Sequence, residues 1–129
     1  LGHVGVLGET PQHLVLERQH GTRIEARRDR TGGHVELAEL QNRIEALYGA
    51  RDRARGVDGT FRWWVEEVGE VAKALRGGDP AALEHELGDA LAWLASVANL
   101  VGVDLAKAVA RYSGDCPRCR STPCDCPVS

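Results

Sequence analysis

The chain has 129 residues, 43% of them hydrophobic, and a net charge of -3, which is ordinary for one globular domain and gives no bulk-charge basis for nucleic-acid binding. Its most apolar stretch, Ala90 to Val103, is shorter than the ~20 residues a bilayer requires and is interrupted by Asn99, so it reads as a buried helix and not a membrane span. No charged leader followed by an apolar run and a small-residue cleavage site opens the sequence, and a cytoplasmic location is expected.

Residues 1–34 hold six of the fifteen glycines and four of the five histidines and show no sustained helical period. A poorly ordered extension is expected there, with a weak hairpin over residues 13–29, Leu14 and Leu16 facing Ile24 and Ala26, as the alternative. From Val35 the pattern turns helical. Leu37, Leu40, Ile44, Leu47 and Tyr48 recur at spacings of three and four, which predicts a first amphipathic helix ending near Arg55 and Gly56. A loop through Gly59 is expected to lead to a second helix, starting near Thr60 and stopped by Gly77 and Gly78. Asp79 then offers an N-cap and Pro80 suits the first helical position, so a third helix should run to about Val101. Gly102 breaks it, and Asp104 can cap a short fourth helix ending near Tyr112. The brief link at Gly78 and Asp79 forces the second and third helices into an antiparallel hairpin, and the whole predicts an all-α, antiparallel helical bundle over residues 35–112.

That hairpin carries the most informative residues. Glu66, Glu67 and Glu70 are followed, after fifteen intervening residues, by Glu86 and Asp89. Residues three apart share a helical face, so Glu67 with Glu70 and Glu86 with Asp89 should project from two facing helices. Acids on helices are commonly just solvated. Here Glu66 and Glu70 set like charges four apart, which costs a few tenths of a kcal/mol, so something must compensate. Both helices also carry apolar residues, Val65, Val68, Val71 and Leu75 on one and Leu83, Leu87, Leu91 and Leu94 on the other, and must pack against something. Four carboxylates in one groove would raise one another's pKa unless a cation neutralised them, and oxygen-only donors suit magnesium. A di-iron centre would call for Glu-x-x-His pairs, whereas His85 sits beside Glu86.

The segments EEVGE at 66–70 and ELGD at 86–89, with RDRARG at 51–56 and VDL at 103–105, resemble the MazG-like nucleotide pyrophosphohydrolases, an all-α family, over Val35 to Pro127. The resemblance implies cleavage of a nucleoside triphosphate to the monophosphate and pyrophosphate with magnesium. It also implies magnesium ligation by Glu67, Glu70, Glu86 and Asp89. Apolar faces such as that of Ala90 to Val101 exceed what one short hairpin can cover, so a homodimer or dimer of dimers is expected, with sites near subunit interfaces as in the resembling family. Phosphoanhydride cleavage needs the phosphate charge neutralised and a water oriented, and Glu66 or Glu70 is the candidate for holding that water. Trp63, four residues before Glu67, and Trp93, four after Asp89, border the acidic faces and could stack on a base, or could simply be core aromatics. Arg51, Arg53 and Arg55 could reach phosphates. Of the triphosphate contacts that many relatives place on their last helix, only Lys107 and Arg111 have counterparts here. The alternative to an enzyme is a non-catalytic binding or regulatory module whose acids hold a structural ion and whose cysteine-bearing C-terminal tail docks a partner.

Residues 113–129 form a cysteine-rich tail. Cys116, Cys119, Cys124 and Cys126, the only cysteines, follow the pattern Cys-x2-Cys-x4-Cys-x-Cys, with Pro117, Pro123 and Pro127 setting turns. In a reducing compartment such a cluster favours zinc over disulfides, free thiols or an iron-sulfur cluster, and four thiolates suit a closed structural site.

Overall fold

The structure is a computed structural model that describes residues 35–128, and the described residues contain helices and no strand. The expected extension over 1–34, with its alternative hairpin, lies outside them. Helix α1 spans Leu37–Gly77, α2 spans Pro80–Val101 and α3 spans Leu105–Val109, the last running into a 3-10 turn at Ala110–Tyr112. No single helix among the described residues is long and apolar enough to cross a membrane.

One element departs from the sequence expectation. The first two predicted helices are continuous through Val57, Asp58 and Gly59, with no loop, and the only non-helical residue between them is Gly56, at φ 82° and ψ 170°. A single residue at positive φ is enough to redirect a helix, and glycine takes that conformation without the Cβ penalty of other residues. Arg55 and Trp63, on either side of Gly56, both reach the ring of Trp93, at 4.9 Å and 5.8 Å from its centroid.

The remaining boundaries follow local chemistry. Gly78, at φ 71°, closes α1 by donating its N–H to the Ala74 carbonyl at 3.1 Å. The Asp79 carboxylate accepts from the Ala81 N–H at 3.0 Å, and Pro80 occupies the first turn of α2. Gly102, at φ 70°, ends α2, and the Asp104 carboxylate accepts from the Lys107 N–H at 3.0 Å to open α3. The chain turns by 109° between α2 and the final helical segment. Gln41 fastens that corner to α1: its amide donates to the Val103 carbonyl at 2.6 Å and accepts from the Leu105 N–H at 2.9 Å, while Asn99 donates to the Gln41 carbonyl at 3.0 Å.

The apolar interior of the described residues is small. Among them Ile44, Ala95 and Ala98 are the buried hydrophobic residues, and Asp52, Thr60 and Ser96 are buried polar ones. By contrast Val57, Phe61, Val65, Val68 and Leu75 are 41–58% exposed. At 100° per residue these five side chains fall within about 80° of one another, so they form one apolar stripe along residues 57–77. Leu87 and Leu91 on α2 are similarly exposed.

Candidate active site

The antiparallel pairing of α2 with residues 57–77 brings carboxylates from two helices together. One oxygen each from Glu67, Glu86 and Asp89 lies within 4.8 Å of the others. Burial, then the charges of Asp89 and Glu86, push the Glu67 carboxyl above its ordinary value, against a hydrogen bond from the Trp93 side chain. The cause is the one that makes such a site attract a cation: carboxylates this close stabilise protons or metal in place of one another's negative charge. Three hard oxygen donors fit magnesium, whose remaining positions waters and phosphates can fill.

Glu70 lies one turn beyond Glu67 but is turned toward Lys73, with 3.2 Å between ammonium and carboxylate, and does not join the trio. Glu66 is exposed on the neighbouring face. His85 reaches Asp89 at 3.3 Å from the solvent side. It is not one of the three converging ligands.

Beside the acids lies a cleft of about 290 Å³, near the lower end for small-molecule sites. Asp89 borders it, as do Trp93, Arg51 and Arg55. Trp63 stacks on Trp93 with 13° between the ring planes, and the Arg55 guanidinium sits 4.9 Å from the Trp93 ring centroid. Arg53 is directed to Glu45 instead and does not line the cleft.

Asp52 is a member of this wall that spacing alone does not single out. Its buried carboxylate accepts from Arg55 at 2.8 Å, and the same guanidinium reaches the buried Thr60 hydroxyl at 3.4 Å. The only hint in the sequence is an acid set within a run of three arginines, three residues before Arg55. A buried carboxylate left without its partner is costly, and here Arg55 supplies that partner while also reaching Thr60.

Lys107 and Arg111 fall elsewhere. The rise of α2 separates Asp89 from Gly102 by about 20 Å, and both residues follow the corner beyond Gly102. Lys107 is 86% exposed and pairs with Asp104 at 3.7 Å, whereas Arg111 lies over the Tyr112 ring at 4.7 Å. Within one chain they do not share the cleft with the acids, because the turn after α2 carries them away.

In the tail, the sulfurs of Cys116, Cys119, Cys124 and Cys126 lie within 4.8 Å of one another. Backbone N–H groups of Asp125 and Ser121 pull the Cys119 thiol down to about 6, while the neighbouring sulfurs of Cys124 and Cys119, with burial, push Cys126 up to about 12.

Residues 55–114 match the family model described as MazG nucleotide pyrophosphohydrolase domain. The match contains all five acids, Trp63 and Trp93, and it ends before the first cysteine. No curated protein matches the chain.

Proposed function

We propose, from the match of residues 55–114 to the MazG nucleotide pyrophosphohydrolase domain, that the protein is a magnesium-dependent hydrolase that converts a nucleoside triphosphate to the monophosphate and pyrophosphate, in a nucleotide-pool house-cleaning role. The observation that carries this reading is the meeting of Glu67, Glu86 and Asp89 from two helices beside an aromatic and arginine-lined cleft. A solvated acidic face would gain nothing from aiming three carboxylates at one another.

In this reading Glu67, Glu86 and Asp89 hold magnesium, which when bound neutralises phosphate oxygens and the developing charge on the leaving pyrophosphate. Glu70 is released easily from Lys73, since an exposed ion pair contributes at most about 1 kcal/mol. It then turns in as a fourth ligand, or Glu70 or Glu66 accepts a proton from the attacking water and holds it in line. Arg51 and Arg55 meet phosphate oxygens from the opposite wall, and the Trp63–Trp93 pair stacks against the base. Asp52 keeps Arg55 aimed. The exposed stripe on residues 57–77 packs against a second copy, giving a homodimer or a dimer of dimers. Lys107 and Arg111 are not assigned a substrate contact in their own chain's cleft.

A panel of nucleoside triphosphates incubated with magnesium, with pyrophosphate resolved from phosphate among the products, tests the reaction. At least one triphosphate should yield pyrophosphate, and Glu67→Gln and Asp89→Asn should each lower turnover by about 10²-fold or more with helical content unchanged. Full turnover by both variants would sink the ligand assignment.

A further inference from the structure

We propose that Cys116, Cys119, Cys124 and Cys126 bind one zinc ion that organises the tail, as a site separate from the acidic cleft and outside the matched family region. Four sulfurs drawn to a common centre need a cause. No apolar cause exists, because none of residues 113–128 is buried and Val128 is fully exposed.

The sulfur geometry points to a metal. A tetrahedral zinc with Zn–S bonds of about 2.3 Å sets its sulfurs about 3.8 Å apart. The Cys116 and Cys126 sulfurs are 3.9 Å apart and those of Cys119 and Cys124 are 3.8 Å apart. Disulfide bonding would bring sulfurs to about 2.05 Å in pairs and would give no reason for both pairs to converge on one centre.

The backbone is arranged to support thiolates. The Arg120 N–H donates to the Cys116 carbonyl at 2.8 Å and the Cys116 N–H to the Ser121 carbonyl at 3.2 Å, so the first two cysteines are carried on a closed turn with Arg120 at φ 60°. The Asp125 N–H points at the Cys119 sulfur and the Cys126 N–H at the Cys124 sulfur, both at 3.4 Å. Such donors stabilise a negative sulfur. The Thr122 hydroxyl donates to Asp115 at 2.9 Å and ties the later half of the tail to its start. Four thiolates on a divalent ion carry two net negative charges, which Arg118 and Arg120 in the same turn offset. Binding displaces the thiol protons to solvent and changes no oxidation state. Because Cys124 is exposed, the site favours redox-inert zinc over iron, and with four protein sulfurs it leaves no open position for a nucleophilic water.

The test uses the full chain purified under reducing conditions. Elemental analysis should give one zinc per chain, and the four thiols should resist a thiol reagent until a chelator is added. Cobalt substituted into the wild-type protein should show the intense bands of tetrahedral thiolate coordination, a readout that does not depend on any variant folding. Replacing all four cysteines by serine should abolish zinc content while helical content is retained. A zinc content well below one with four reactive thiols, iron in place of zinc, or zinc kept by the serine variant would each overturn the site.

Discussion

Glu67 links charge to pH in a direction opposite to that of most paired carboxylates. Its pKa is raised above 4.5, with burial as the first cause and Asp89 and Glu86 next. The native state therefore holds a proton that the unfolded chain has already lost in the window from about 4.5 up to the raised value. Stability of the metal-free protein should fall as pH rises through that window, and below it the penalty is absent. In the proposed site magnesium would compete with that proton. The rise in Tm on adding magnesium should accordingly grow with pH over the same window, and Glu67→Gln should flatten the dependence. A magnesium shift in Tm of equal size at pH 4.5 and pH 7 would remove Glu67 from the ligand set. The convergence of Glu67 with Glu86 and Asp89 is legible in the sequence because helical spacing and a two-residue link fix which faces oppose. The partner of Glu70 is not legible, since Lys73 competes for it through a rotamer choice that spacing does not encode. Asp52 escapes because its burial is a tertiary property that an acid among three arginines does not announce.

At the scale of elements, the bend in α1 is the feature on which the cleft depends. Beyond its immediate chain neighbours and the adjoining helix backbone, no heavy atom lies within 4 Å of a Cβ built on Gly56, so the cost of Gly56→Ala is set by its positive φ and not by a clash. That substitution should destabilise by about 1–3 kcal/mol. It should also weaken the near-ultraviolet circular dichroism of the Trp63–Trp93 stack, as residues 57–77 relax toward a straight continuation. Unchanged Tm and an unchanged aromatic signal would show that the bend is not strained by a side chain. Glycine at 56 and again at 59 signals a break in the sequence, but not how much chain the break consumes. The caps at Asp79 and Asp104 carry more local information, because side chain and backbone specify each start together. Those starts are accordingly where the sequence predicts them. The far placement of Lys107 and Arg111 follows from the 109° corner, a tertiary property held by Gln41 that no periodicity in α3 reveals.

For the molecule as a whole, the three buried hydrophobic residues among the described residues are a small core for two long helices. The stripe of Val57, Phe61, Val65, Val68 and Leu75 should be covered by a second copy. Light scattering at micromolar concentration should find a dimer or tetramer, and Val65→Glu, which places charge within the stripe, should shift the population toward monomer and lower Tm. A monodisperse wild-type monomer would refute the assembly.

The same exposed stripe bears on how the protein comes into being. A newly synthesised chain would carry that surface bare until it met a sibling, so the last step of maturation would be a bimolecular encounter whose rate climbs with the square of expression. Scarce chains would linger where proteases and chaperones compete for them. Cellular activity would then respond to synthesis more steeply than in proportion, a dosage threshold written into one face of one helix.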